Sequence, residues 1–120
     1  MKSFIKIFSL ALLFTFNIDA VHAQDKVKKV ETCEIEVVGV CKMCKKRIEN
    51  AALIKGVKMA AWDQDSQTLK IVYNPSKTTE DSVHRAVADA GHDTNKMKAP
   101  DEIYKKLPAC CAYRDGVKPH

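Results

Sequence analysis

Two cysteines three positions apart, Cys41 and Cys44, lie in Gly39-Val40-Cys41-Lys42-Met43-Cys44, where an alternating apolar stretch gives way to a helical pattern. A backbone that turns from loop into helix there brings Cys44 back beneath Cys41, so both thiols converge on one small target. Amides at a helix N-terminus carry partial positive charge, so Cys44, with Cys41 beside it, should ionise more readily than a free thiol. Thiolate is the form that binds metal or attacks a disulfide. Met43, between them, is a third soft sulfur that faces either the site or the core. The other cysteines are Cys33, Cys110 and Cys111. Five cysteines cannot all pair with one another, and two close pairs plus a singleton suit a binding or redox arrangement better than a disulfide framework.

The elements that position these thiols follow from apolar spacing. Cys33, Ile35 and Val37 alternate with Glu34 and Glu36, as a half-buried strand requires, and this turns Cys33 inward as a small buried hydrophobe. Cys44, Ile48, Ala51 and Ala52 recur at helical spacing, with Gly56 placed to cap the end. Lys42, Lys45, Lys46 and Arg47 crowd the first turns of that helix. They form either a solvated face or a basic rim that offsets the thiolates and meets an acidic partner. Val57 to Trp62 and Thr68 to Tyr73 read as a hairpin turning at 63–67, with Trp62 as a core anchor. Asn74-Pro75-Ser76 breaks the second strand, Thr78 or Thr79 caps a second helix, and Val83, Ala86, Val87 and Ala90 form its buried stripe up to Gly91. His84 falls beside that stripe as a surface or boundary residue. His92 opens a loop returning towards the cysteine end. Thr94 to Lys98 is a short candidate fourth strand, and Asp101 to Leu107 offers one or two helical turns. Pro108 to Arg114 carries Cys110-Cys111, and Asp115 to His120 reads as disordered.

The amino end has the features of an export signal: basic Lys2 and Lys6, an apolar run from Phe4 to Phe16, and Val21-His22-Ala23 as a small-x-small cleavage site. Residues 1–23 are therefore read as a signal peptide, 30–98 as the domain and 99–120 as a cysteine-bearing extension. The apolar run is shorter than the ~20 residues a spanning helix needs, so the expectation is an exported, periplasmic protein with no membrane span in the mature chain. The net charge of the 120-residue chain is +5. Without a basic stripe interleaved with aromatics, this mild excess points to no nucleic-acid partner.

The order strand, CxxC loop, helix, strand, strand, helix, strand resembles the heavy-metal-associated domain family, which includes periplasmic mercury-binding proteins, copper chaperones and modules of copper-transporting ATPases. Gly39, Cys41, Cys44, Ile48, Gly56-Val57, Trp62-Asp63, Tyr73-Asn74-Pro75, Val83, Ala90 and Gly91 carry the resemblance. It implies an α+β, ferredoxin-like βαββαβ sandwich of four antiparallel strands with two helices on one face. It also implies that Cys41 and Cys44 bind a soft ion near the surface and give it up by exchange with a partner's cysteines. Cu(I) is the leading ion, with zinc and Hg(II) also suited to thiolates. A metal-transporting ATPase or another cysteine-bearing acceptor would take the ion, from a monomer or a metal-bridged dimer.

Three departures from the family matter. Gly39-Val40 leads straight into Cys41 where the family has Gly-Met-Thr, and the methionine appears as Met43 inside the pair. His92 replaces a common aromatic after the second helix, as a metal ligand or as a hydrogen-bond partner of a thiolate. The tail adds Cys110 and Cys111. Folded over the loop, they would bring up to four thiolates to one ion, a closed zinc-like site; adjacent cysteines meet one ion only with strain, so one of them alone, or a second ion, is also open, and otherwise they form an oxidised pair or pack beneath the tail. The function expected is a metallochaperone or metal-sequestering module rather than an enzyme. A thiol-disulfide oxidoreductase using the same CxxC is the enzymatic alternative, and an adaptor docking through the tail is a third reading.

Overall fold

A computed structural model describes residues 29–120; the expected signal peptide at 1–23 and the residues up to 28 lie outside the described residues. Strand β1 spans Glu31–Glu36, helix α1 Lys42–Ala52, β2 Val57–Asp63, β3 Thr68–Tyr73, helix α2 Glu80–Asp89 and the one-turn helix α3 Asp101–Tyr104. Two 3-10 turns follow, Ala109–Cys111 and Tyr113–Asp115. The sheet is antiparallel in the order β1-β3-β2, with Cys33 opposite Ile71 and Trp62 opposite Leu69. Period-two alternation sends Ile35, Trp62, Leu69, Ile71 and Tyr73 to one face. There they meet Cys44, Ile48 and Ala52 of α1 and Val83 and Val87 of α2 in a single core.

The expected fourth strand shrinks to one bridge, Val37 with Thr94, on the outer edge of β1. The amide of Val38 donates to Asp93 O and that of Asn95 to Glu36 O. Thr94 Oγ1 then accepts from the amides of Lys96 and Met97, turning the chain away before a ladder can extend. Helix α2 is capped by Thr79, whose side chain accepts from the Ser82 amide, and the chain leaves it through Gly91 at a φ of +105°. Its buried stripe keeps Val83 and Val87 of the expected one, with His84 and Ala88 in place of the half-buried Ala86 and Ala90. His84 is fully buried because Thr94 Oγ1, 2.6 Å from Nδ1, and Glu80, 3.4 Å from Nε2, satisfy its ring. Gly56 does not cap α1: the helix ends at Ala52 with Leu53 as C-cap, and Gly56 serves the turn into β2 at a φ of +98°.

The tail is not an appendage. Tyr113 stacks on His92 with ring centroids 5.7 Å apart, and its hydroxyl donates to Gly91 O at 2.6 Å. Arg114 lies 4.4 Å above the Tyr104 ring, pairs with Asp93 at 2.6 Å and donates to Ala99 O at 2.8 Å. The segment expected to be disordered is also placed, since Val117 packs on the core and the His120 amide donates to Val40 O at 3.0 Å.

Candidate metal centre

The loop from Val38 to Val40 is held from below by the β2–β3 turn. Gln67 takes up a left-handed conformation, at a φ of 55°; its side-chain oxygen accepts from the Gly39 amide at 2.9 Å and its carbonyl from Val37 N at 2.9 Å. Gln64 donates to Val40 O at 3.1 Å, and the Trp62 indole donates to Val37 O at 3.0 Å. Gly39 is required by packing: a Cβ there would stand 2.9 Å from Trp62 Cζ2 and 3.1 Å from Ile48 Cδ1. Cys41 leaves this platform as the extended N-cap of α1 and makes no side-chain capping hydrogen bond. The first-turn amides, which lack partners within the helix, favour a thiolate at this end.

Three thiols converge at this helix start. Cys41 Sγ lies 3.6 Å from Cys44 Sγ and 3.7 Å from Cys111 Sγ, and Cys44 and Cys111 stand 2.7 Å apart. All three are buried, and among the described residues they are the one group of three or more His, Cys, Asp or Glu side chains whose ligand atoms gather closely enough to hold an ion. With metal–sulfur bonds of about 2.3 Å, as zinc makes, sulfurs around a trigonal ion stand about 4.0 Å apart. Cys41 already meets that spacing closely, and the ion would spread Cys44 from Cys111 by roughly 1.3 Å. Burial opposes ionisation of Cys41, but the Cys44 amide, the Cys44 and Cys111 thiols and the Met43 amide outweigh it and bring its pKa down to about 7. Burial and the hydrogen bond with Cys44 push Cys111 up, against the pull of Arg47 Nη1 at 3.4 Å. Arg47 is thus the residue of the basic run that reaches a thiol, while Lys45 is engaged by Glu49 at 2.8 Å and Trp62 O at 2.7 Å.

The other sequence candidates sit apart. Cys110 points outward, its sulfur 3.7 Å from Met43 Sδ, because neighbours on a 3-10 turn diverge by about a third of a revolution. A four-thiolate site is therefore not what the fold presents. His92 is fully buried, and its Nδ1 meets Val38 O at 2.9 Å. It stays outside the thiol cluster, with Nε2 unpartnered, and burial lowers its pKa, leaving the ring neutral with Nδ1 as donor. Cys33 is half-buried against the core, and burial, with Glu80 and Glu31 nearby, pushes its thiol up to about 11, so it remains protonated.

No family model matches the chain. It is 26% identical over 92 residues to the copper-transporting ATPase HMA4 of Oryza sativa subsp. japonica, a match covering 75% of this chain and 9% of that protein. To the copper-exporting P-type ATPase of Staphylococcus saprophyticus it is 28% identical over 95 residues, covering 70% and 12%. The chain therefore spans only a small part of the curated relatives it matches. Among solved structures, the CopZ metallochaperone superposes with a TM-score of 0.52 at 27% identity, covering 53% of this chain and 98% of that one. The Cu(I)-loaded N-terminal domain of a potential copper-translocating P-type ATPase from Bacillus subtilis gives 0.52 at 28% identity, covering 55% and 85%. In fold and in sequence, then, the chain is similar to copper-transporting ATPases and to the CopZ metallochaperone.

Proposed function

We propose that this chain binds Cu(I) through Cys41, Cys44 and Cys111 and holds it for later release to a cysteine-bearing acceptor such as a metal-transporting ATPase. The observation that carries the reading is the third thiol, delivered to the CxxC pair by a tail that Arg114 and Tyr113 hold in place. Three soft sulfurs suit a monovalent soft ion, whereas closed zinc sites take four ligands, and the fourth cysteine near this site faces away. A lowered Cys41 pKa supplies one thiolate near neutrality, and Arg47 lies beside the developing negative charge. The likeness to copper-transporting ATPase domains and to CopZ supports copper over mercury. Export through the signal at residues 1–23 belongs to the same proposal.

The test is anaerobic competition with a chromogenic Cu(I) chelator, using the chain and its Cys41→Ser/Cys44→Ser, Cys111→Ser and Cys110→Ser variants. The reading predicts one Cu(I) per chain, lost in the double variant, weakened in Cys111→Ser and retained in Cys110→Ser. Equal affinity in Cys111→Ser and the wild type would reduce the site to the CxxC pair alone.

A further inference from the structure

The buried trio has an access problem. Cys41 is 5% exposed, Cys44 and Cys111 are fully covered, and exchange requires an incoming sulfur to reach the ion. Immediately outside the trio lies another pair of soft donors. Helix geometry turns Met43 away from Cys44, just as the 3-10 turn directs Cys110 away from Cys111. The two segments face each other, so this divergence builds two rungs: Cys44 with Cys111 at 2.7 Å inside, and Met43 with Cys110 at 3.7 Å outside. Met43 is 52% exposed, although its side chain is apolar. A shallow cleft lined by Cys41, Lys42, Met43, Cys110 and His120 opens over the outer rung. Cys41 belongs to both levels, lining the cleft while its sulfur touches both inner thiols.

We propose that Met43 and Cys110 form a surface port for a soft monovalent ion, through which Cu(I) enters and leaves the trio by way of Cys41. The port rests on the reading that the trio binds Cu(I). On loading, Cys110 releases its proton to solvent, and its thiolate and the Met43 thioether each form a bond to the ion as the carrier's ligands depart. The Cys41 thiolate then forms its bond as the Met43 bond breaks. Cys44 and Cys111 complete the trio, releasing their protons to solvent as the Cys110 bond breaks and the Cys110 thiolate takes a proton back from solvent. Copper remains Cu(I) throughout, and unloading is the reverse. A neutral thioether suits the outer position because it attracts a soft ion with no proton to displace and holds it less firmly than thiolate.

The test measures Cu(I) transfer rates, anaerobically, from the loaded chain to excess chelator and from a Cu(I)–chelator complex back to the chain. Wild type, Met43→Leu, Cys110→Ser and the double variant are compared, with equilibrium affinity measured in parallel. Met43→Leu conserves volume at an exposed position, so folding is not at stake. The port predicts transfer slowed about tenfold in both directions in the double variant, by a higher barrier at unchanged equilibrium. Unchanged rates with affinity intact overturn the port and leave the trio standing. A tenfold or greater loss of affinity in Cys110→Ser also overturns it, because Cys110 would then be a resident ligand. Failure of the wild type to bind Cu(I) through Cys41 and Cys44 removes the underlying reading and the port with it.

Discussion

Arg114→Ala tests how the third thiol is presented. In the native tail Arg114 donates to both oxygens of Asp93, at 2.6 and 3.2 Å, and to Ala99 O at 2.8 Å, while stacking over Tyr104. The Arg114 and Asp93 side chains are 20% and 22% exposed, so their pairing is only partly screened. The contact with Asp101 contributes little, because that carboxylate is 70% exposed. Charge-assisted hydrogen bonds are each worth about 1.5–3 kcal/mol net, and discounting for partial exposure leaves about 2 kcal/mol for the whole fastening. That corresponds to roughly a 30-fold shift in the closed-to-open ratio of the tail. Urea denaturation should show the loss in stability. Native-state hydrogen exchange should show the Cys111 amide, which donates to Pro108 O, and the Ala112 amide, which donates to Ala109 O, exchanging faster by the same factor. Arg114→Lys should recover only part of this, since an ammonium cannot bridge the carboxylate and stack at once. A stability change below about 0.5 kcal/mol, the size of an ordinary surface substitution, with tail exchange unaltered, would refute the claim that this residue fastens Cys111 over the loop.

Three further predictions follow from the same geometry. Gly39→Ala should cost about 1–3 kcal/mol in urea denaturation, because its Cβ would press on the buried Trp62 and Ile48 beneath the cysteine loop; a neutral result would mean the loop is loosely seated. Ultraviolet thiolate absorbance of the metal-free chain should show a titration near pH 7 that Cys41→Ser removes. With Cys41 protonated below that pH, apparent Cu(I) affinity should fall more steeply there, by about one additional tenfold per pH unit. His92 has a pKa lowered from 6.5 by burial, so the unfolded chain takes up its proton first. The stability due to neutral His92 is present above about pH 6.5 and lost as pH falls towards its folded value; His92→Gln should flatten that part of the urea-midpoint profile.

Three of the four expected strands, the two main helices and the cysteine loop were legible because each is written in local periodicity. Ile35 and Val37, Cys44 and Ile48, and Leu69 and Ile71 declare their faces without reference to distant residues. What escaped depends on contacts remote in sequence or on the phase of a short turn. His84 reads as polar and therefore external, yet Thr94, ten residues on, gives its ring a partner and lets it be buried. The tail has too few apolar residues to declare a buried face, and its order comes from Arg114 and Tyr113 reaching back to Asp93 and Gly91. An aromatic–arginine pair just after Cys110-Cys111 was the available signal. Likewise, nothing in two adjacent cysteines says which one faces inward; the 3-10 turn decides it, burying Cys111 and leaving Cys110 against Met43. Gln64 and Gln67 hold the loop from a turn that composition marks only as polar.

The most direct test of the central claim is X-ray absorption at the copper edge of the anaerobically Cu(I)-loaded chain, with Cys111→Ser measured alongside. Three sulfur neighbours at a single distance near 2.3 Å in the wild type, falling to two with a shorter bond in Cys111→Ser, is the predicted result for a trigonal thiolate site. Two sulfurs in both would contradict it and leave Cys111 a packed thiol under the tail.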